Sequence, residues 1–257
     1  MSEKAQLKDT QPNDTQPKDS IVRDIFILVV ITLVAGLLLG AAYGITKEPI
    51  ADAQARAKEQ AQRSVMQNAE SFSVLMQSEE NAGEEAVSEG SVQLSEAVEA
   101  ALADKGITNT SVEQIDAAFD GAGKTTGYVV TASNSEGYGG AVELMCGISA
   151  PEDGTLTIEG ISFLTLTETA GMGMRAKEES FTQQFPGKMI SPGESLVYTK
   201  DGAAADNEID AISGCTVTTN AVTKDINAAL EAVRVMQEHP EAAVSADAGR
   251  EDSDEED

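Results

Sequence analysis

Seven residues, Asp210-Ala-Ile-Ser-Gly-Cys-Thr216, deliver a hydroxyl to the start of a helix. Ser213 and Gly214 supply a tight turn and let the backbone approach a ligand closely. Beyond Thr216, the residues Val222, Ile226, Ala229, Leu230 and Val233 form one apolar stripe at helical spacing. The N–H groups at the start of a helix lack intrahelical partners and favour a phosphate. Thr216 therefore stands where a phosphate could be esterified, with nearby N–H groups and Thr218 or Thr219 available to its oxygens. An ordinary helix cap would use the same residue types. On this segment alone, that plainer reading carries more weight.

Two further segments bear on the choice. In Thr165-Leu-Thr-Glu168-Thr169-Ala-Gly171-Met-Gly173-Met-Arg175, two glycines follow a β-like run. Such a loop could cover a flat aromatic ligand, with polarizable methionines against its face. Glu168 and Thr169 could hydrogen-bond ring heteroatoms, although an exposed glycine loop with no ligand reads equally from these residues alone. Gly137-Tyr138-Gly139-Gly140 is a glycine turn feeding a buried strand. Tyr138 has three readings there: a core residue, a stacking partner for a ring, or a plain turn residue.

Several elements must position these segments. Residues 25–45 form an uncharged stretch of 21 residues, matching one crossing of a bilayer core of about 30 Å. A polar segment, residues 1–24, precedes it. The length favours a retained span over a cleaved signal peptide, whose apolar core is shorter. Gly36, Gly40 and Gly44 recur every four residues, a spacing that permits close helix packing in lipid. Lys18 and Arg23 flank one side, and Lys47, Arg56, Lys58 and Arg63 follow the other, so charge does not decide orientation. Ile50, Ala53, Ala57, Ala61 and Val65 recur at helical spacing, which predicts a juxtamembrane helix over residues 46–77.

An acidic linker, residues 78–90, carries five carboxylates and no basic residue. A helix is expected over 94–105, ending at Gly106, then strands over 112–119, 127–132, 141–148 and 156–166. Turn clusters such as Asp120-Gly-Ala-Gly123 separate them at hairpin spacing. With the last helix, this makes residues 91–237 an α+β domain whose largely antiparallel sheet is flanked by helices.

The chain has 17 basic and 44 acidic side chains. The linker and the acidic tail, residues 238–257, hold close to half of the net charge of −27. Composition marks both as disordered. Nucleic acid and anionic lipid headgroups are not expected as partners of so acidic a chain. Cys146 and Cys215 have no metal spacing and no haem-attachment motif, and His239 is the only histidine. A zinc or haem site built on them is not expected. Both read as small, partly buried thiols, with a disulfide between them left open. No acid/base dyad or nucleophile triad stands out, so no catalytic or metal residue is assigned.

The order of the three segments carries the specificity. A G-Y-x-G turn, then E-T-x-G-x-G, then D-x-x-S-G-x-T and a terminal helix, behind one amino-terminal span, resembles the G subunit of the Rnf electron-transport complex. The C subunit of the sodium-pumping NADH:quinone reductase shares the plan. The Gly137–Gly140 version and Lys47-Glu-Pro49-Ile50 look more like the Rnf protein. The resemblance covers residues 25–76 and 91–237. It implies an FMN-binding domain over residues 91–237, with one FMN linked to Thr216 through a phosphoester. Asp210, Ser213, Gly214 and Cys215 would be the recognition context, and Glu168, Thr169, Gly171, Gly173 and Tyr138 would line the flavin.

As partners it implies the other subunits of a membrane complex and, during maturation, a flavin transferase that uses FAD. The complex would couple electron flow between ferredoxin and NAD to ion movement, with this domain on the extracytoplasmic side of the cell membrane. A flavinylated module outside any pump, the equivalent quinone-reductase subunit, and a plain anchored interaction domain are the alternatives. Two departures stand out: Cys215 where the attachment motif usually has Ala, and Ala170 where the loop usually has Pro.

Overall fold

The computed structural model describes residues 18–78, 89–151 and 153–238. Most of the acidic linker, the tail from His239 onward and the first seventeen residues lie outside the described residues. The chain divides into two units, one reaching to Ala55 and one beginning at Arg56.

Helix α1 spans Lys18–Val65. Within the first unit its Arg23–Lys47 stretch has a mean hydropathy of 2.9 and none of it is buried. Ile25, Leu33, Leu39 and Ile45 are all exposed. A helix apolar all round, with none of this stretch buried among the described residues, is what a bilayer accommodates, and this one is long and apolar enough to cross. Pro49 lies inside the helix and cannot donate to the helical ladder.

The second unit is an α+β fold. Strands β1 (Ser71–Gln77), β2 (Thr110–Phe119), β3 (Thr125–Asn134), β4 (Val142–Ser149), β5 (Leu156–Leu166) and β6 (Lys188–Ile190) form one sheet in chain order. Every neighbouring pair is antiparallel. Helix α2 (Glu89–Asp104) lies between β1 and β2 in the chain, and Gly106 follows it at φ 67°. After β5 come a 3-10 turn (Gly173–Lys177) and the short helix α3 (Glu179–Thr182). Strands β7 (Val197–Thr199) and β8 (Glu208–Asp210) form a separate parallel pair, and α4 (Thr216–Glu238) ends the described chain.

Alternation along the strands divides the core between two faces. On one face, Val130, Leu144, Cys146 and Ile158 pack with Val222, Ile226 and Leu230 of α4 and with Leu94 and Val98 of α2. On the other face, Val129, Met145 and Ala118 pack with Ala61, Val65 and Met66 at the end of α1. Here the helix end comes down to backbone contact: a Cβ on Gly147 would stand 2.2 Å from the Val65 carbonyl oxygen. Polar pairs extend this contact, Lys58 to Gln114 and Gln62 to Asp116.

One expectation is corrected. The juxtamembrane helix does not reach residue 77; it stops at Val65, and Ser71–Gln77 is strand β1. Phe72, Val74 and Met76 alternate in the sequence, but the strand exists because β2 supplies its ladder, from Ser71 opposite Phe119 to Gln77 opposite Gln114. The sheet therefore starts before the acidic linker. Cys146 and Cys215 are both free and buried, without a disulfide, and burial pushes the Cys146 thiol up.

Candidate functional site

The loops at one end of the sheet and the start of α4 enclose a cleft of roughly 300 Å³. Its lining comes from three stretches of chain. The β3–β4 turn contributes Tyr138; the segment after β5 contributes Glu168, Thr169, Met172 and Gly173; the α4 entry contributes Gly214, Cys215, Thr216, Val217 and Thr218.

The α4 entry is a tight turn. The Cys215 N–H donates to the Ile212 carbonyl at 2.9 Å, and Gly214 between them has φ 79°. Positive φ at the third turn position suits glycine because it has no Cβ. The Thr219 hydroxyl completes the turn, accepting from the Ile212 N–H at 3.1 Å and donating to the Cys215 carbonyl at 3.0 Å. It is fully buried and committed to the turn rather than to a ligand. Thr219 is also the first residue whose N–H is bonded back into the turn. The N–H groups of Thr216, Val217 and Thr218 are thus the open ones of the first helical turn. Thr216 is half-buried at the first position of α4, on the cleft wall.

Glu168 turns inward. Its Oε1 accepts the Tyr138 N–H at 2.9 Å and the Thr218 hydroxyl at 2.9 Å, and its Oε2 accepts the Gly139 N–H at 3.2 Å. Gly173 has room for nothing larger: a Cβ there would stand 2.6 Å from Glu168 Oε2 and 2.8 Å from Thr218 Oγ1. Thr169 accepts through its carbonyl from the N–H of Met172 at 3.1 Å. This closes a turn with Ala170 second and Gly171 third, the latter at φ 74°. Around the mouth, Tyr138 is 74% exposed, and Met172 and Val217 are each 48% exposed. Large apolar surface left in water around the mouth of a cleft marks a binding place.

Of the residues singled out in the sequence, the fold brings Thr216, Gly214, Cys215, Glu168, Thr169, Gly173 and Tyr138 to this cleft. Asp210, Ser213 and Gly171 do not line it. Asp210 instead receives the Ala203 N–H on its carboxylate at 2.7 Å, and its own N–H donates to Gln184 at 2.6 Å. The Ser213 carbonyl accepts from Arg175 at 3.4 Å. Val217 is not among the residues singled out in the sequence; an apolar residue next to Thr216 and off the Val222–Val233 stripe was the available signal. Further along α4, Asp225 is fully buried, and among the described residues neither of its carboxylate oxygens is hydrogen-bonded. Burial first, and the Glu143 charge second, push its carboxyl up to about 9.

Residues 137–231 match the family of the FMN-binding domain. Over 113 residues the chain is 40% identical to the G subunit of the Na(+)-translocating ferredoxin:NAD(+) oxidoreductase complex of Acetobacterium woodii, covering 42% of this chain and 50% of that protein. It is 39% identical to the proton-translocating counterpart of Clostridium ljungdahlii, over 43% of this chain and 55% of the relative. These matches span about half the length of the two relatives. A longer match, 28% identical over 82% of this chain and 93% of the relative, is to the G subunit of the ion-translocating oxidoreductase complex of Methanosarcina acetivorans. Residues 137–231 thus carry the FMN-binding domain, and G subunits of ion-translocating oxidoreductase complexes are among the chain's relatives.

Proposed function

We propose that this protein is an electron-carrying flavoprotein subunit of a membrane-bound, ion-translocating ferredoxin:NAD oxidoreductase complex, with one FMN joined to Thr216 through a phosphoester. The observation that carries this reading is the placement of Thr216 at the first position of α4, on a cleft wall beside open N–H groups. The homologous G subunits support the complex as its setting.

The residues fit such a group. The open N–H groups of Thr216, Val217 and Thr218 suit phosphate oxygens at the positive end of a helix. Tyr138, Met172 and Val217 offer apolar surface to a flat ring. When bound, FMN supplies electron transfer, and the protein's part is to hold, orient and shield it. In maturation, the Thr216 hydroxyl oxygen bonds to the flavin-side phosphorus of FAD. The phosphoanhydride bond to AMP breaks, AMP leaves, and the hydroxyl proton passes to a base of a separate flavin transferase. No oxidation state changes. The other partners are the remaining subunits of the complex, and one span, within Arg23–Lys47, tethers the domain on the extracytoplasmic side of the cell membrane.

The test is co-expression of the full chain with a flavin transferase. The wild type is expected to gain the mass of one FMN residue and to fluoresce in a denaturing gel, and Thr216→Ala to do neither. A Thr216→Ala chain that keeps covalent flavin would sink the assignment. Protease added to whole cells is expected to remove the domain; a fully protected domain would reverse the topology.

A further inference from the structure

We infer that Glu168 is the positioning residue of this site, acting on the flavin through the segments it joins and not as a ligand of the ring. The inference rests on Thr216 being the acceptor. One carboxylate gathers three donors from two other parts of the chain: the N–H groups of Tyr138 and Gly139, and the Thr218 hydroxyl. Thr218 lies in the same helical turn as Thr216, and Tyr138 is the aromatic of the cleft. Hydrogen bonds to an ionised acceptor are about twice as strong as neutral ones. The bracket therefore sets where the acceptor hydroxyl stands relative to the aromatic side chain. Its own loop is shaped around it, since any side chain at Gly173 would collide with both Glu168 and Thr218.

Two chemical consequences follow. The Thr218 proton is committed to Glu168, which leaves phosphate oxygens to the open N–H groups of the first turn. Glutamine cannot replace the carboxylate, because its NH2 would face the Gly139 N–H or the Tyr138 and Thr218 donors.

The experiment uses the full chain with a flavin transferase and FAD, and four variants: Glu168→Gln, Thr218→Val, Thr218→Ser and the double Glu168→Gln/Thr218→Val. Intact mass follows the rate of FMN attachment, fluorescence anisotropy follows how firmly the attached flavin is held, and the absorption band reports its immediate surroundings. Glu168→Gln and Thr218→Val are each expected to slow attachment on the order of tenfold or more, as loss of a charge-assisted hydrogen bond predicts. Both are expected to lower the anisotropy. The double variant is expected to be no worse than Glu168→Gln, because one bracket is broken either way, and Thr218→Ser to restore the wild-type values. If Thr218→Val behaves as wild type while Glu168→Gln shifts the flavin absorption band, Glu168 is a direct ligand and the inference fails. Independent effects that multiply in the double variant overturn it too. A wild-type chain that takes up no FMN at Thr216 would instead overturn the acceptor reading beneath it.

Discussion

Two helices reach the sheet from opposite faces, and they do so differently. Helix α4 lies across its face through side chains, with Val222, Ile226, Ala229, Leu230 and Val233 all buried in the larger core. The end of α1 comes down to the backbone, with Val65 against Gly147 and Gly160. A side-chain interface fixes a helix along its length and leaves its first turn free to line a cleft. At the end of α1 the backbone approach at Val65 tolerates no added atom, while Lys58, Ala61 and Gln62 extend the seat through their side chains. The face bearing the cleft is the one held by side-chain packing along α4, and the other is held in part by close backbone approach.

Breaking the α4 side is expected to cost most. Leu230→Ala removes a side chain only 1% exposed and is expected to destabilise the fold by about 2–5 kcal/mol in urea melts. On the α1 side, Gly147→Ala forces a methyl to within 2.2 Å of the Val65 oxygen, at an expected cost of about 1–3 kcal/mol. A neutral result there would mean that the α1 end is not seated on the sheet.

The buried acid of α4 sharpens the contrast through pH. The carboxyl of Asp225 is raised from 3.8 to about 9 in the folded chain. Below pH 4 it is neutral in both folded and unfolded chains and carries no penalty. Between about 4 and 9 the unfolded chain ionises and the native one does not, so stability falls as pH rises. Asp225→Asn is expected to flatten this decline by at most about 1.4 kcal/mol per pH unit. Parallel stability curves for the two proteins at pH 5 to 8 would refute the buried acid. The smallest effect belongs to the cleft loop. Ala170 is second in the Thr169–Met172 turn, a position that suits proline. Ala170→Pro is expected to stabilise by about 0.4–1 kcal/mol, read as a raised melting temperature.

Much of the fold was legible because it is local. Strands β2 to β5 and helices α2 and α4 each have a continuous pattern of period 2 or 3.6, and the Asp120 turn shows its type in its residues: the Asp120 carboxylate accepts from the N–H groups of Ala122 and Lys124. Strand β1 was not legible. Its seven residues follow directly on helix-forming sequence, and their partner is a strand some 40 positions further on. Strands β6 to β8, three residues each, are too short to show a period. At the site, the residue types and their order pointed to Thr216, Glu168 and Tyr138. Spacing could not show that Asp210 and Ser213 serve the approach to α4, or that Glu168 faces protein donors.

The sequence by itself determined an apolar helix long enough to cross a membrane, a hairpin-rich α+β unit, and a hydroxyl at the start of a helix. Each is a property of neighbouring residues. Only the tertiary structure decided that the turn after β3, the loop after β5 and the first turn of α4 share one cleft, and that a single carboxylate ties them. Those contacts join residues 30 and 50 positions apart, and such closures depend on how the sheet and α4 pack, which no local pattern encodes.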